Sequence, residues 1–417
     1  VIQLAGVVAA AQTRPLGLQD LEQQALAHNP SLAQAAAEVE AARGRARQAG
    51  MLPNPTVGYT GGEIRGGPVV RGGEHGAFIE QTIPLGHKLA LSQRIYEQEG
   101  SQAEALVEVQ RQRVLTDVRK TFYMAVAAER RVQARGQLAT LAAEAVDVAR
   151  QLFNTGAADV PDVLEAEVEA RRAQLALEAA QNDRVRTWRL LAAVTGDPRL
   201  TPQALAGSVD DPLPEFDRDA ITTRILAESP ELTVARLGID RARAALARAE
   251  RETAPDLVLR GGPRYKREIL ESTGLPTGWE AAVEAGFVIP LFNRNQGGIA
   301  EAKAELSRSE REVERLELDI RARLAVAFDE YLTAVRTAEV LRTDVLPRAT
   351  RSHQLYLDRY REMAAAYPQV LIAQRTLFQA SDQFVDAAES AWRAATDLQG
   401  MLLSGGLMPA ASIRRSQ

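Results

Sequence analysis

Hydrophobic positions along most of this chain step by three or four. Val313, Leu316, Ile320, Leu324, Ala327, Tyr331, Ala334, Ala338, Leu341 and Val345 form one such series. Leu138, Leu141, Ala145, Val148 and Leu152 form another. This spacing is a heptad seam on a long helix, and alanine at several seam positions lets a second helix approach closely. Proline is absent from Gly86 to Asn154, and only Pro347 lies between Gly298 and a turn expected near Met363. A helix of ~65 residues is ~100 Å long at 1.5 Å per residue. Such length without globular interruption predicts a coiled-coil-like bundle.

The period changes from helical to alternating in four short places. Trp279, Ala281, Val283, Ala285 and Phe287 alternate with Glu280, Ala282, Glu284 and Gly286. That is a strand with one apolar and one polar face. Strands are expected at Thr56 to Thr60, Ala77 to Ile83, Asp256 to Tyr265 and Trp279 to Ile289. Gly58 is poor strand chemistry, so the first span is the weakest. Between the pairs lie "GGEIRGGPVVRGGEHG" and "KREILESTGLPTG". Strands of ~10 residues with one apolar face and long polar loops match a membrane β-barrel, and the segments alone equally allow two soluble hairpins. In lipid a sheet must close, because no water satisfies its edges. Single-chain barrels start at ~8 strands and this chain offers four, so closure would need several copies. Three copies would supply twelve strands.

The chain is written twice. "ALAHNPSLAQAAAEVEAARGRARQAG" from Ala25 matches "ILAESPELTVARLGIDRARAALARAE" from Ile225, an offset of 200. Pro55 and Pro255 share that offset, as do the pairs Gly61-Gly62 and Gly261-Gly262. "TIPLG" from Thr82 matches "VIPLF" from Val288 at 206, and "VPDVLEAE" from Val160 matches "YPQVLIAQ" from Tyr367 at 207. Repeat 1 therefore covers residues 18–196, with strands at about 55–84; repeat 2 covers 219–405, with strands at about 255–291. Residues 197–218 are rich in Pro, Asp and Gly and read as the inter-repeat segment, and 406–417 form a tail. Residues 1–17 read as a signal-peptide remnant or a disordered terminus. Pro30 and Pro230 are expected near helix starts, and Pro55 and Pro255 at helix ends with a strand following. The glycine pairs are expected near the far ends of their strands or at loop edges.

Composition narrows the function. The 417 residues are 46% hydrophobic, much of it alanine, and only 5% aromatic. Long helices with thin interfaces fit that better than a large globular core. Lys+Arg 50 against Asp+Glu 55 gives a net charge of −5 with the signs interspersed, which gives nucleic-acid binding no support. Without cysteine there is no disulfide and no thiolate chemistry. No run approaches the ~18 apolar residues of a membrane-spanning helix. His28, His75, His87 and His353 are scattered without metal-ligand spacing. "GGEIRGG" lacks the strand–loop–helix context of a phosphate loop, and no nucleophile triad appears. No enzyme activity, cofactor or metal site is expected.

The chain resembles TolC-type outer-membrane efflux channels, most closely their heavy-metal (CzcC/CusC-like) branch. The carriers are "ALAHNPSLAQAAAEVEAARGRARQAGMLPNP", "EQTIPLGHK", "FVIPLFNRNQGG" and the twice-written turn with "VL" after each long helix. The likeness runs from Leu18 to Gly405. It implies a mainly α fold with a small β part: a duplicated long-helix barrel whose four strands per chain join a trimeric twelve-stranded transmembrane barrel. It implies the outer membrane of a Gram-negative bacterium, with a long periplasmic tunnel and an equatorial belt formed by the inter-repeat segment and the tail. The partners it implies are two more copies of the chain, outer-membrane lipid, a periplasmic adaptor (membrane fusion protein) and an inner-membrane pump of the RND type. The channel would be a passive conduit, with divalent heavy-metal cations as cargo. Drug-efflux and type I secretion channels share the architecture, and a soluble coiled-coil scaffold or adaptor is the competing class.

The resemblance also implies a gate at the periplasmic tips, in "LFNTGAADVPDVLEAE" and "RYREMAAAYPQVLIAQ". The positions matching the family's acidic constriction are Gln369 and Ile372, which carry no charge. Their repeat-1 counterparts, Asp162 and Glu165, are acidic. They either supply a cation-attracting ring or offset the helix macrodipole. Leu152, Asn154, Gly156, Tyr360, Met363 and Ala364 are the expected adaptor-contact positions, with Met363 standing where the first turn has glycine. Trp279, Val283 and Phe287 are the expected lipid-facing residues.

Overall fold

A computed structural model of the chain describes residues 15–64, 73–269 and 276–409. The stretch read as a signal-peptide remnant lies outside the described residues up to position 14, as do the end of the tail and the centres of both inter-strand loops. The element order repeats. The first half gives α1 (Leu18–His28), α2 (Pro30–Ala49), β1 (Thr56–Gly62), β2 (Glu74–Ile83), α3 (Lys88–Asn154) and α4 (Val160–Thr195). The second half gives α5 (Arg218–Glu228), α6 (Pro230–Arg251), β3 (Leu257–Ile269), β4 (Pro276–Phe287), α7 (Gln296–Val340), α8 (Leu346–Arg361) and α9 (Tyr367–Gln399). A π-helical turn, Leu341–Val345, joins α7 to α8. Pro30 and Pro230 are the first residues of α2 and α6, where a missing N–H leaves no bond unmade.

The chain packs into two compact units, each drawing on both halves of the sequence. One holds residues 15–35, 107–229 and 317–409; the other holds 36–106 and 230–316. In the first unit Leu21 and Ala25 of α1, Phe122 and Val126 of α3, Trp188 and Leu191 of α4 and Phe384 and Val385 of α9 share one core. Every seam position of α7 is buried or half-buried, as is every seam position of α3. Phe328, beside the seam, is buried as well. The inter-repeat segment is not a loose connection. Leu16 and Leu205 form a parallel bridge, Val209 is buried, and the Trp392 indole donates to the Val209 carbonyl at 3.3 Å.

Several boundaries differ from the sequence expectation. α3 runs unbroken for 67 residues, but its counterpart is interrupted. Pro347 falls in the first turn of α8, where it can donate no hydrogen bond and crowds the preceding turn. The wider π turn absorbs that defect while Leu341 stays in the core. Pro55 and Pro255 do not end helices. α2 stops at Ala49 and α6 at Arg251, and both prolines lie in the connections that follow. The second glycine pair sits inside β3, not at its far end. β4 ends at Phe287, so Val288 and Ile289 lie outside it.

The two helix–helix turns are built alike despite different residues. The Ala157 N–H donates to the Leu152 carbonyl at 2.8 Å, and Gly156 to Phe153 at 3.0 Å. In the second turn Ala364 donates to Arg359 at 2.8 Å and Met363 to Tyr360 at 3.0 Å. This is the Schellman closure, which needs a left-handed residue. Gly156 supplies φ +72° and Met363 φ +58°. Met363 thus takes a conformation that costs a side-chain-bearing residue about 1 kcal/mol. Met363→Gly is expected to raise stability by about 1 kcal/mol and Gly156→Ala to lower it by a similar amount, measured by thermal or denaturant unfolding.

Candidate functional site

Two regions carry the candidate residues, and each lies within one unit. The first is the sheet, antiparallel throughout with order β1-β2-β3-β4. Its register decides the faces, because residues directly opposite one another point the same way. Val57 pairs with Ile79, Ile79 with Gly261 and Gly261 with Val283. One face therefore carries Val57, Tyr59, Ile79, Leu259, Trp279, Val283 and Phe287, all exposed, with Val283 at 83% and Trp279 at 73%. At the loop end of this face His75 pairs with Tyr265 and Tyr265 with Trp279. The Tyr265 and Trp279 rings meet edge-on at 5.4 Å.

The opposite face is a ladder of charges. Lys266 Nζ lies 2.8 Å from Glu74 and 3.7 Å from Glu280. Arg264 is 3.6 Å from Glu74 and Arg260 is 4.0 Å from Glu80. Gly58, the weak point of the first strand, faces Phe78 across the pair. The Phe78 ring fills the space a Cβ would need, approaching it to 2.5 Å, and the Arg260 guanidinium caps that ring at 3.8 Å. An aromatic ring covering a cross-strand glycine restores the packing that glycine lacks. Gly262 answers a different constraint: a Cβ there would meet the Ala77 carbonyl oxygen at 1.9 Å. Only glycine lets β2 and β3 approach this closely. Below the sheet, buried Lys88 bonds Asp256 at 2.8 Å, and Asp256 also accepts from the Leu85 N–H at 3.3 Å, tying the start of α3 to the start of β3.

The second region is the pair of helical turns. Ala145, Ala149 and Leu152 of α3, Ala166 of α4, Leu357 and Tyr360 of α8 and Tyr367 and Leu371 of α9 form one buried cluster. Leu152 and Tyr360 are therefore inside the tip, at 8% and 3% exposure, and they hold the turns from behind. Asn154, Gly156, Met363 and Ala364 are exposed. Asp162 is half-buried, and its carboxylate accepts from the Asp159 N–H at 3.3 Å, closing the first turn of α4. Glu165, Gln369 and Ile372 are exposed.

Sequence reasoning passed over Glu169 and Arg375. Glu169 has only 8% of its side chain exposed and takes both Arg375 of α9 and Arg172 of its own helix, the latter at 3.0 Å. A buried carboxylate on an alanine-rich seam was the available signal, since it must be paired. The Tyr360 and Tyr367 rings lie 5.5 Å apart. Burial, aided by Asp162, pushes the Tyr360 hydroxyl up to about 12. Burial, aided by Glu169, raises Tyr367 as well. Buried His353 is shifted the other way, its pKa lowered by desolvation. Among the described residues no set of His, Asp and Glu side chains is placed to hold a metal ion.

Duplicated long helices carrying a four-stranded sheet define the fold of the outer-membrane channels. The structure of CusC, reported in connection with transmembrane channel formation, aligns with a TM-score of 0.78 at 18% identity, over 95% of this chain and 96% of that one. VceC, an outer membrane protein of Vibrio cholerae, aligns at 0.75 and 18% identity, over 93% and 96%. A membrane protein of Pseudomonas aeruginosa aligns at 0.77 and 20% identity, over 93% and 90%. The chain belongs to the outer membrane efflux protein family, whose sequence model matches residues 21–197 and 222–402. It is also 25% identical, over 93% of its length and 90% of the relative's, to the cobalt-zinc-cadmium resistance protein CzcC of Cupriavidus metallidurans.

The buried tyrosines give a pH prediction. An unfolded tyrosine ionises near ~10, and the folded Tyr360 only near about 12. Unfolding then releases protons above pH ~10, so the contribution is complete below that pH and is lost as pH rises toward the folded value. The thermal midpoint is expected to fall between pH 10 and 12, and to fall less in a Tyr360→Phe, Tyr367→Phe double variant.

Proposed function

We propose that this chain is the outer-membrane subunit of a tripartite efflux system, a passive conduit that carries divalent heavy-metal cations outward. The observation that carries this reading is the sheet: one exposed apolar face, one charged face and, among the described residues, two outer strands with a free side. Such a sheet is suited to lipid on the first face and water on the second once further copies close it. Three copies would give twelve strands, and the Tyr265–Trp279 row would lie at the membrane boundary where aromatic residues anchor barrels. The long helices would form the periplasmic tunnel.

The tips would meet a periplasmic adaptor through Asn154, Gly156, Met363 and Ala364, backed by Leu152 and Tyr360. An inner-membrane pump of the RND type would supply the energy. No covalent chemistry belongs to the channel. The likeness to a cobalt-zinc-cadmium resistance protein over nearly the full chain supports metal cargo. Gln369 and Ile372 favour a second reading. An uncharged constriction suits drug efflux or protein secretion on the same fold, unless Asp162 and Glu165 supply the ring.

Two experiments test this. Val283→Arg places a charge on the apolar face and should cost about 2–4 kcal/mol if that face meets the bilayer midplane. It is expected to abolish recovery in the outer membrane, whereas Glu284→Arg on the other face is tolerated. Equal recovery of both would contradict a lipid-facing sheet. Deletion of the gene is expected to sensitise cells to zinc, cobalt or cadmium, read as growth inhibition. Sensitivity confined to drugs would move the cargo to the second reading.

A further inference from the structure

Two apolar clusters hold the tip helices together. Near the turns, Leu357 and Tyr360 of α8 meet Val370 and Leu371 of α9 and Ala145 of α3. Farther from the turns, Ala349 of α8 meets Leu377 and Ala380 of α9 and Leu138 of α3. Between the two clusters the buried face of α8 carries His353 and that of α9 carries Gln374. Both are inside, at 2% and 1% exposure. Among the described residues the His353 Nε2 has no hydrogen-bond partner, and neither has the oxygen or the nitrogen of the Gln374 amide. A polar layer without partners thus separates two apolar ones, and it costs free energy that apolar side chains would not.

Packing alone does not call for an imidazole here. At the repeat offset of 207 the counterpart of His353 is Val146 of α3, apolar and buried. The charged side chains on the helices around the ring are Glu144 and Asp147 of α3, Arg351 and Asp358 of α8 and Arg375 of α9, and all of them are exposed. Arg375 is held by Glu169. Of these groups Glu144 favours a proton on the ring, and burial outweighs it.

The helix that carries His353 can respond separately from the one above it. The π turn Leu341–Val345 and Pro347 stand between α7 and α8, and helices bend at such interruptions. On the other side of the layer α3 runs unbroken for 67 residues. The tip end of α9 is close to the same layer: Gln369 and Ile372 precede Gln374 by five and two positions.

We propose that His353 makes the tip acid-sensitive: once its ring carries a proton, the polar layer cannot stay buried, and α8 parts from α3 and α9 below the π turn. An exposed imidazole takes up its proton near pH ~6.5, and the buried ring only at lower pH. The open arrangement therefore binds more protons over that interval. The closed one keeps its full stability above ~6.5 and loses it as pH falls below that value. The tip tyrosines stay protonated throughout this range and take no part. The consequence for transport rests on the channel reading: parting of α8 from α9 would release Gln369 and Ile372 from a constriction, so that acid loosens the gate.

Amide hydrogen exchange of the full chain, extracted in detergent, tests this at pH ~7.5 and ~5.5, on either side of the free imidazole's ~6.5. Protection factors, which already allow for the intrinsic effect of pH, are expected to fall severalfold at the lower pH in peptides from α8 and the first half of α9. Peptides around Phe122 and Val126 in the upper core should keep theirs. His353→Gln and His353→Leu should each remove the fall. Glu144→Gln, which leaves the layer itself intact, should move its midpoint to lower pH. Equal protection at both pH values, a fall that persists in the His353 variants, or a midpoint that Glu144→Gln leaves in place would each overturn the proposal. Conductance in planar lipid bilayers separates it from the channel reading. A severalfold rise on acidification that His353→Gln abolishes supports both. A protein that shows the exchange behaviour and never conducts overturns the channel reading and leaves the acid-sensitive layer standing. Conductance whose acid response survives His353→Gln overturns the gate consequence alone.

Discussion

A sheet of four strands with one apolar face cannot be complete by itself. Among the described residues the outer strands β1 and β4 each keep one side without a strand partner, and backbone donors and acceptors left there must be met by water or by another strand. In the hydrocarbon of a membrane, water is not available. The apolar face, with Val57, Ile79, Val283 and Phe287 side by side in register, asks for lipid. The charged face, with Lys266 between Glu74 and Glu280, asks for water. Only a closed sheet with an aqueous interior satisfies all of these demands together, and more copies of the chain are the natural source of the missing strands.

The helices obey a matching logic. Alanine-lined seams hold α3, α4, α8 and α9 close with modest apolar area per turn, so each added helix contributes little by itself and a long interface contributes through length. The duplicated plan then exposes what one chain cannot finish. Repeat 2 has its α9 tucked against α3, whereas Val160, Leu164 and Val168 on the equivalent stripe of α4 and Leu355 on α8 are exposed. Sheet and helices are incomplete in the same way, each ending in two unlike surfaces.

Much of this plan was legible in the sequence because it is periodic. Heptad spacing marked the last turns of α3 and most of α7, the absence of proline marked the length of α3, and strict alternation put Trp279, Val283 and Phe287 on one face. The repeat offset aligned Gly156 with Met363 before any turn was seen. What stayed hidden depends on neighbours distant in sequence. Gly58 read as a flaw because Phe78 and Arg260, which cover it, lie 20 and 202 positions away. Gly262 read as a strand end because the Ala77 carbonyl that excludes a side chain there belongs to the other half. Met363 in a left-handed conformation breaks a local rule, and it holds because the hydrogen bonds of the turn and the tip cluster fix the backbone around it. Leu152 and Tyr360 were taken for contact residues from their place beside a turn, and burial shows them to be the support behind the exposed tip. The carboxylate of Glu169 on an alanine-rich seam called for a partner, but nothing in the sequence named Arg375, 206 positions away, as that partner.

The central claim is that the chain is one part of a closed membrane assembly. Native mass spectrometry of the full chain extracted from isolated outer membranes tests it most directly. The account predicts a species of three chain masses in the outer-membrane extract, with no folded monomer in the soluble fraction. A stable soluble monomer, or an assembly whose copy number leaves the four-stranded sheet open, would contradict it.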